Sequence, residues 1–188
     1  MMESTRTGSL LRTLIFLAGV SVLLLSGQPA AGQDGGAAPP SQPVKLVFIH
    51  HSCGENWLTD GHGDLGRILG ENNYFVSDTN YGWGPHGIGD RTDILDWPEW
   101  FRSPGSAEIL QALYSESGQH SSYTRTLPDP GGENNIIMFK SCFPNSALEG
   151  APDDPPSGDD WLTVGSAKRV YNDLLNYFIT RPDKLFVV

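Results

Sequence analysis

The chain has 188 residues, and 22 Asp and Glu outnumber 12 Lys and Arg to give a formal net charge of −10. It contains no basic run, so nucleic acid and anionic lipid are not expected partners. Two cysteines are too few for a disulfide-built scaffold, which leaves the fold to a hydrophobic core.

Arg6 and Arg12 lead into a 12-residue apolar run, Leu14 to Leu25, and Ala30-Ala31-Gly32 follows it. A basic start, an apolar centre and small residues at the exit predict a signal peptide over residues 1–32, hence a secreted or periplasmic protein. The run is shorter than the roughly 20 apolar residues of a membrane span, so no stable anchor is expected. An uncleaved N-terminal tether is the alternative. Residues 33–43 are rich in Gly, Ala, Pro and Gln and read as a flexible linker. The folded domain is expected over residues 44–188, long enough for one core.

Val44 to Ile49 is an apolar strand that runs into His50-His51-Ser52-Cys53-Gly54. A helix is expected from Asn56 to Gly70, weakened by Gly61, Gly63 and Gly66. Tyr74-Phe75-Val76 reads as a second strand, followed by a loop through Tyr81-Gly82-Trp83-Gly84. Ser103-Pro104 predicts a helix start, with Ile109, Leu110 and Leu113 on one face. Asn135 to Phe139 is a third strand that runs into Lys140-Ser141-Cys142-Phe143-Pro144-Asn145-Ser146. Ala151 to Asp160 is a Pro- and Asp-rich loop. Val164, Ala167, Val170, Leu174, Tyr177 and Phe178 give helical spacing between Trp161 and Ile179. Lys184 to Val188 begins a buried-type strand that stops in mid-run, so the domain is expected to be truncated at its C-terminus. Alternating strands and helices predict an α/β fold, a parallel sheet covered by helices.

Ligands of open α/β sheets bind beyond the carboxyl ends of the strands. Two strand ends carrying Ser-Cys pairs therefore predict one site built from both. Ser52 reads either as a nucleophile at a strand-to-helix turn or as a helix cap. Asn145 reads as a hydrogen-bond donor or as ordinary turn chemistry. Cys53 and Cys142 are either bridged or two free thiols.

These motifs, their order and the alternation over residues 44–188 resemble the SGNH (GDSL-type) hydrolase superfamily. His50-His51-Ser52-Cys53 stands where that family has Gly-Asp-Ser-Leu, and Cys142-Phe143-Pro144-Asn145-Ser146 where it has Gly-x-Asn-Asp. The resemblance implies a three-layer α/β/α sandwich of flavodoxin-like SGNH type with a mainly parallel sheet. It implies that Ser52 is the nucleophile. It also implies an oxyanion hole from the Ser52 N–H, the N–H of Gly84 (or Gly82) and the Asn145 amide. The family's base comes from Asp-x-x-His, and none of His50, His51, His62, His86 or His120 follows an Asp by three residues. That motif is expected beyond Val188. The implied activity is hydrolysis of carboxylic esters, acyl groups on carbohydrates among them, with no cofactor and no metal.

The competing reading from another class is a non-catalytic module of the same fold that holds glycans through aromatic loops, Trp83 and Trp100 being the residues to test. A metal site at His50, His51, His62 and Asp64 is disfavoured because adjacent strand residues point to opposite faces. Cys53 as nucleophile is disfavoured by export. The Asp153-Asp154 and Asp159-Asp160 pairs lack an EF-hand register and read as a solvated cluster.

Overall fold

A computed structural model describes residues 38–158 and 160–188. The proposed signal peptide and the first part of the linker, residues 33–37, lie outside the described residues. Four strands, β1 (Val44–Ile49), β2 (Tyr74–Asp78), β3 (Ile136–Phe139) and β4 (Leu185–Val187), form one sheet in the order β2-β1-β3-β4. Every pairing is parallel, with Phe48 opposite Asp78 and Ile49 opposite Phe139. β1 lies between β2 and β3 and is buried on both faces, which is why it reads as a nearly continuous apolar run. Lys45 within it is buried because its Nζ pairs with Asp129 at 3.1 Å and donates to the Gly132 carbonyl.

The period-2 alternation of β1 divides the interior into two cores. Leu46 and Phe48 pack with Val76, Leu58 and Tyr123, under helices α1 (Cys53–Leu58) and α2 (Leu65–Glu71). Val47 and Ile49 pack with Ile137 and Phe139 under α3 (Trp97–Arg102), α4 (Ser106–Ser115) and α5 (Val164–Phe178). Helices thus flank a four-stranded, all-parallel sheet, as the strand–helix alternation predicts. The second core is dominated by rings: Trp97 and Trp100 are fully buried and meet Phe139 edge-on. Truncating one such ring to Ala costs about 3–5 kcal/mol in a packed core.

The expected helix over Asn56 to Gly70 is two helices. The break falls at residues 59–64, where Gly61 (φ 81°) and Asp64 (φ 55°) adopt left-handed backbone that a helix cannot continue through. The expected start at Ser103-Pro104 is displaced to Ser106. The Ser103 hydroxyl donates to the Glu99 carbonyl at 2.8 Å and so closes α3 instead of opening α4. α5 begins at Val164, inside the expected span from Trp161 to Ile179, where Thr163 caps it, its Oγ1 accepting from the Ser166 N–H. β4 is less buried than its composition suggests: it pairs with β3 on one side only, and Leu185 and Val187 are exposed while Phe186 packs inward.

The order of connections sets the place of the site. From β1 the chain steps out to β2, then crosses back over β1 to β3 and continues outward to β4. The direction of winding therefore reverses between β1 and β3, and the crevice beyond their carboxyl ends is where such sheets take ligands. Among the described residues no helix is long and apolar enough to cross a membrane.

Candidate active site

β1 ends at Ile49, and the two histidines after it go to different tasks. His50 is fully buried, and its Nε2 lies 3.1 Å from Asp78 Oδ2 at the end of β2. A carboxylate only accepts, so that nitrogen carries the proton. The buried Nδ1 has no partner among the described residues. Asp78 also accepts from the Ser121 hydroxyl at 2.6 Å and from the His120 N–H at 2.8 Å. Burial pushes the Asp78 carboxyl up, but the hydrogen bonds from His50, Ser121 and His120 together outweigh it and hold it below the ordinary carboxylate value. Burial, and then the Asp78 charge, raise the neighbouring Tyr123 phenol.

His51 turns to the other face. Its Nδ1 is 2.9 Å from the Gly89 carbonyl and 3.3 Å from Thr92 Oγ1. The carbonyl fixes the tautomer with the proton on Nδ1 and leaves Nε2 as the acceptor nitrogen. The Tyr81 ring stacks on this imidazole at 4.8 Å. With the two rings committed to different sides, the residues of the disfavoured metal site do not converge. Among the described residues no group of three or more His, Cys, Asp or Glu is arranged to hold an ion.

Ser52 follows with φ 52° and ψ −125°, a conformation that costs a non-glycine residue about 1–3 kcal/mol. It occupies the N-cap position of α1, and its carbonyl accepts from the Glu55 N–H. Its side chain makes no capping bond and the residue is exposed. The helix-cap reading of Ser52 therefore does not account for its hydroxyl. The turn is tight beneath it: a Cβ on Gly54 would sit 2.5 Å from His50 Cβ and 2.7 Å from Lys140 Cε. Lys140 itself is buried and donates to the Ser141 carbonyl at 3.0 Å.

The loop after β2 carries the glycines. The Gly82 N–H is engaged, donating to Asp90 Oδ1 at 3.0 Å. Gly84 has φ 81° and ψ 175°, and its N–H has no partner among the described residues. Of the two glycines, Gly84 is the one with a donor to offer. After β3, Asn145 Oδ1 accepts from the Ile94 N–H at 2.9 Å. Because a backbone N–H can only donate, the amide orientation is fixed and both Nδ2 hydrogens are left for another acceptor.

Cross-links tie the three strand-following segments around the β1/β3 crevice. His51 joins the β1 exit to Gly89 and Thr92, and Asn145 joins the β3 exit to Ile94. Asp93 lies beside this junction, and its buried Oδ1 has no hydrogen-bond partner among the described residues. Burial raises the Asp93 carboxyl above its ordinary value, against the opposing pull of His51, Cys142 and Lys140. Ser52, Gly84 and Asn145 are thus carried on one edge of the sheet by mutually bonded loops. No family model, curated protein or solved structure matches this chain.

Asp93 and Lys140 were not singled out by the sequence. Nothing in their spacing marks them, because their surroundings come from the crossing back of the chain over β1. Asp78 closes β2 two residues beyond the expected strand Tyr74-Phe75-Val76, and nothing local marks its pairing with His50. Cys53 and Cys142 are both free thiols. Trp83, Trp97 and Trp100 are buried, and Trp83 Nε1 donates to Glu116, so these tryptophans pack loops and present no face to a glycan. A cleft of about 340 Å³ lies among Glu149, Asp154, Ser157, Asp160 and Thr163, a lining that includes none of Ser52, Gly84 and Asn145.

Proposed function

We propose that this chain is a serine hydrolase of the SGNH type that cleaves carboxylic esters. The observation that carries the reading is Ser52: an exposed serine with strained backbone and an uncommitted hydroxyl, on the turn from β1 to α1, at the point where the sheet reverses its winding. Backbone outliers of this kind persist where function needs them.

In this reading Ser52 Oγ attacks the ester carbonyl carbon while its proton passes to a histidine base. The negative charge that develops on the carbonyl oxygen is taken by the N–H groups of Ser52 and Gly84 and by the Asn145 amide. Collapse of the tetrahedral intermediate breaks the C–O bond and expels the alcohol, which takes up the proton. Water then hydrolyses the acyl-serine by the same path and releases the acid. An uncharged amide serves the oxyanion because it donates without fixing a competing charge in the site. The Asp-x-x-His that supplies the base in the SGNH pattern is not among these 188 residues. Export follows from reading residues 1–32 as a signal peptide.

An active-site-directed fluorophosphonate tests the assignment on the full-length gene product. Labelling is expected to be stoichiometric at most and absent from Ser52→Ala. Labelling that survives that substitution removes Ser52 from the mechanism.

A further inference from the structure

Lys140 directly follows β3, whose last residue, Phe139, is paired with Ile49 at the end of β1. It is 8 % exposed, and lysine is rarely buried so far without an opposite charge. Two other lysines of the chain obey that rule. The side chains of Lys45 and Lys184 are 3 % exposed, and their Nζ atoms lie 3.1 Å from Asp129 and 2.8 Å from Glu133. Lys140 makes no ion pair among the described residues. Its Nζ donates to the Ser141 carbonyl at 3.0 Å, and since an ammonium has three hydrogens to give, two are left.

The head of this side chain is held between the two strand exits. On one side is the Ser141 carbonyl. On the other is Gly54, in the first turn of α1, where a Cβ would come within 2.7 Å of Lys140 Cε. The missing side chain at Gly54 is what makes room for the lysine. The neighbouring residues on both exits reach the surface: Ser52 and Cys53 are exposed, and Ser141 and Cys142 are half-buried. The Asp93 carboxylate is near enough to feel the Lys140 charge but forms no ion pair with it.

A buried positive charge with two unused donors is completed by an anion. Its valence follows from the surroundings. The chain carries a net charge of −10 and Asp93 adds a negative charge nearby, so a dianion such as a phosphate monoester would be left under-neutralised by one lysine. A carboxylate brings a single charge and acceptor oxygens for both remaining N–H groups. We propose that Lys140 binds a carboxylate of the ligand in the β1/β3 crevice, and that the ester cleaved at Ser52 carries a free carboxylate of its own. The second half of this statement rests on Ser52 being the nucleophile; the first does not.

Monomethyl succinate, with one ester and one carboxylate, and the uncharged dimethyl succinate test both halves. Calorimetric titration of the full-length gene product carrying Ser52→Ala reads binding without turnover. Monomethyl succinate should bind about ten- to a hundredfold more tightly, the range of a hydrogen bond to a charged group. Adding Lys140→Met or Lys140→Gln should bring the ratio close to one, whereas a merely structural lysine would shift both Kd values together. The first comparison leaves Lys140 in place and stands even if both variants unfold. Equal affinity for the two esters, no binding of either at tens of millimolar, or a ratio kept in a folded Lys140 variant overturns the anchor. Tighter binding of methyl phosphate overturns the choice of carboxylate. With Ser52 restored, kcat/KM should favour monomethyl succinate by a similar factor, and equal values overturn the ester half. Anion preference without fluorophosphonate labelling of Ser52 overturns the esterase reading and the ester half but keeps the anchor. Labelling without anion preference overturns the role of Lys140 and leaves the nucleophile.

Discussion

Asn145 and Ile94 are joined by a hydrogen bond of 2.9 Å in which the Ile94 backbone N–H donates to the Asn145 side-chain oxygen. One contact thereby fixes the loop after β3 against the segment after β2 and aims the Asn145 amide hydrogens elsewhere. Asn145→Asp separates these two roles. The carboxylate still accepts from Ile94, so the fold is kept, but the donor to a developing oxyanion is gone. Ester turnover should fall by about 10²- to 10³-fold in kcat, with the urea midpoint nearly unchanged. Unchanged kcat in Asn145→Asp would reduce Asn145 to a turn residue.

Ser52 offers a test that runs against intuition. Its φ of 52° and ψ of −125° suit glycine and strain any other residue. Ser52→Gly should abolish ester hydrolysis while stabilising the protein by roughly 1 kcal/mol, the strain released less the added chain entropy of glycine. Urea unfolding measures the gain. A loss of stability would mean that the Ser52 side chain is held by packing, contrary to its exposure and its missing cap bond.

How far the sequence carried this site follows from which interactions are local. The β1 strand was legible because residues 44–49 are apolar on both faces but for Lys45, and Ser52 because it sits at the exit of that strand. α5 was legible from its 3.6-residue spacing. The break at residues 59–64 was visible only as a weakening of the helical pattern, since sequence does not reveal which glycine or Asp takes a positive φ. The start of α4 was misplaced because Ser103 satisfies a carbonyl of the preceding helix, α3. The division of His50 and His51 between Asp78 and Gly89, and the meeting of Asn145 with Ile94, depend on contacts between separate strand exits. No short-range pattern encodes those.

The buried Asp78 and the half-buried Asp93 predict stability of opposite slope on the two sides of pH 4. Asp78 has a folded value below its unfolded one, near 4. Its stabilisation is complete above the unfolded value and is lost as the pH falls through the folded value. Asp93 is raised in the folded protein, chiefly by burial. The stability it contributes is fully present below its unfolded value and is lost as the pH rises through the folded one. Urea unfolding across the acidic range should therefore show Asp78→Asn flattening the decline at the low end. Asp93→Asn should flatten the decline at the upper end. Identical pH profiles for Asp93→Asn and the unmodified protein would place Asp93 in contact with water.

Gly54 sets how closely α1 can approach the sheet. A methyl group there would lie 2.5 Å from His50 Cβ and 2.7 Å from Lys140 Cε. The lysine end can swing aside, but His50 is held by Asp78 and enclosed on all sides. Overpacking of this sort costs about 1–3 kcal/mol, and relief requires α1 to lift and carry the Ser52 turn with it. Gly54→Ala should therefore lower both the unfolding free energy and the rate of fluorophosphonate labelling. Gly105→Ala is the control: φ is −87° and the nearest atom a Cβ would meet is Ser103 Oγ at 3.8 Å. Its stability should change by less than about 1 kcal/mol, with labelling unaltered. If Gly54→Ala labels at the normal rate despite being destabilised, the position of the Ser52 turn does not depend on the seating of α1, and the coupling between that helix and the nucleophile is absent.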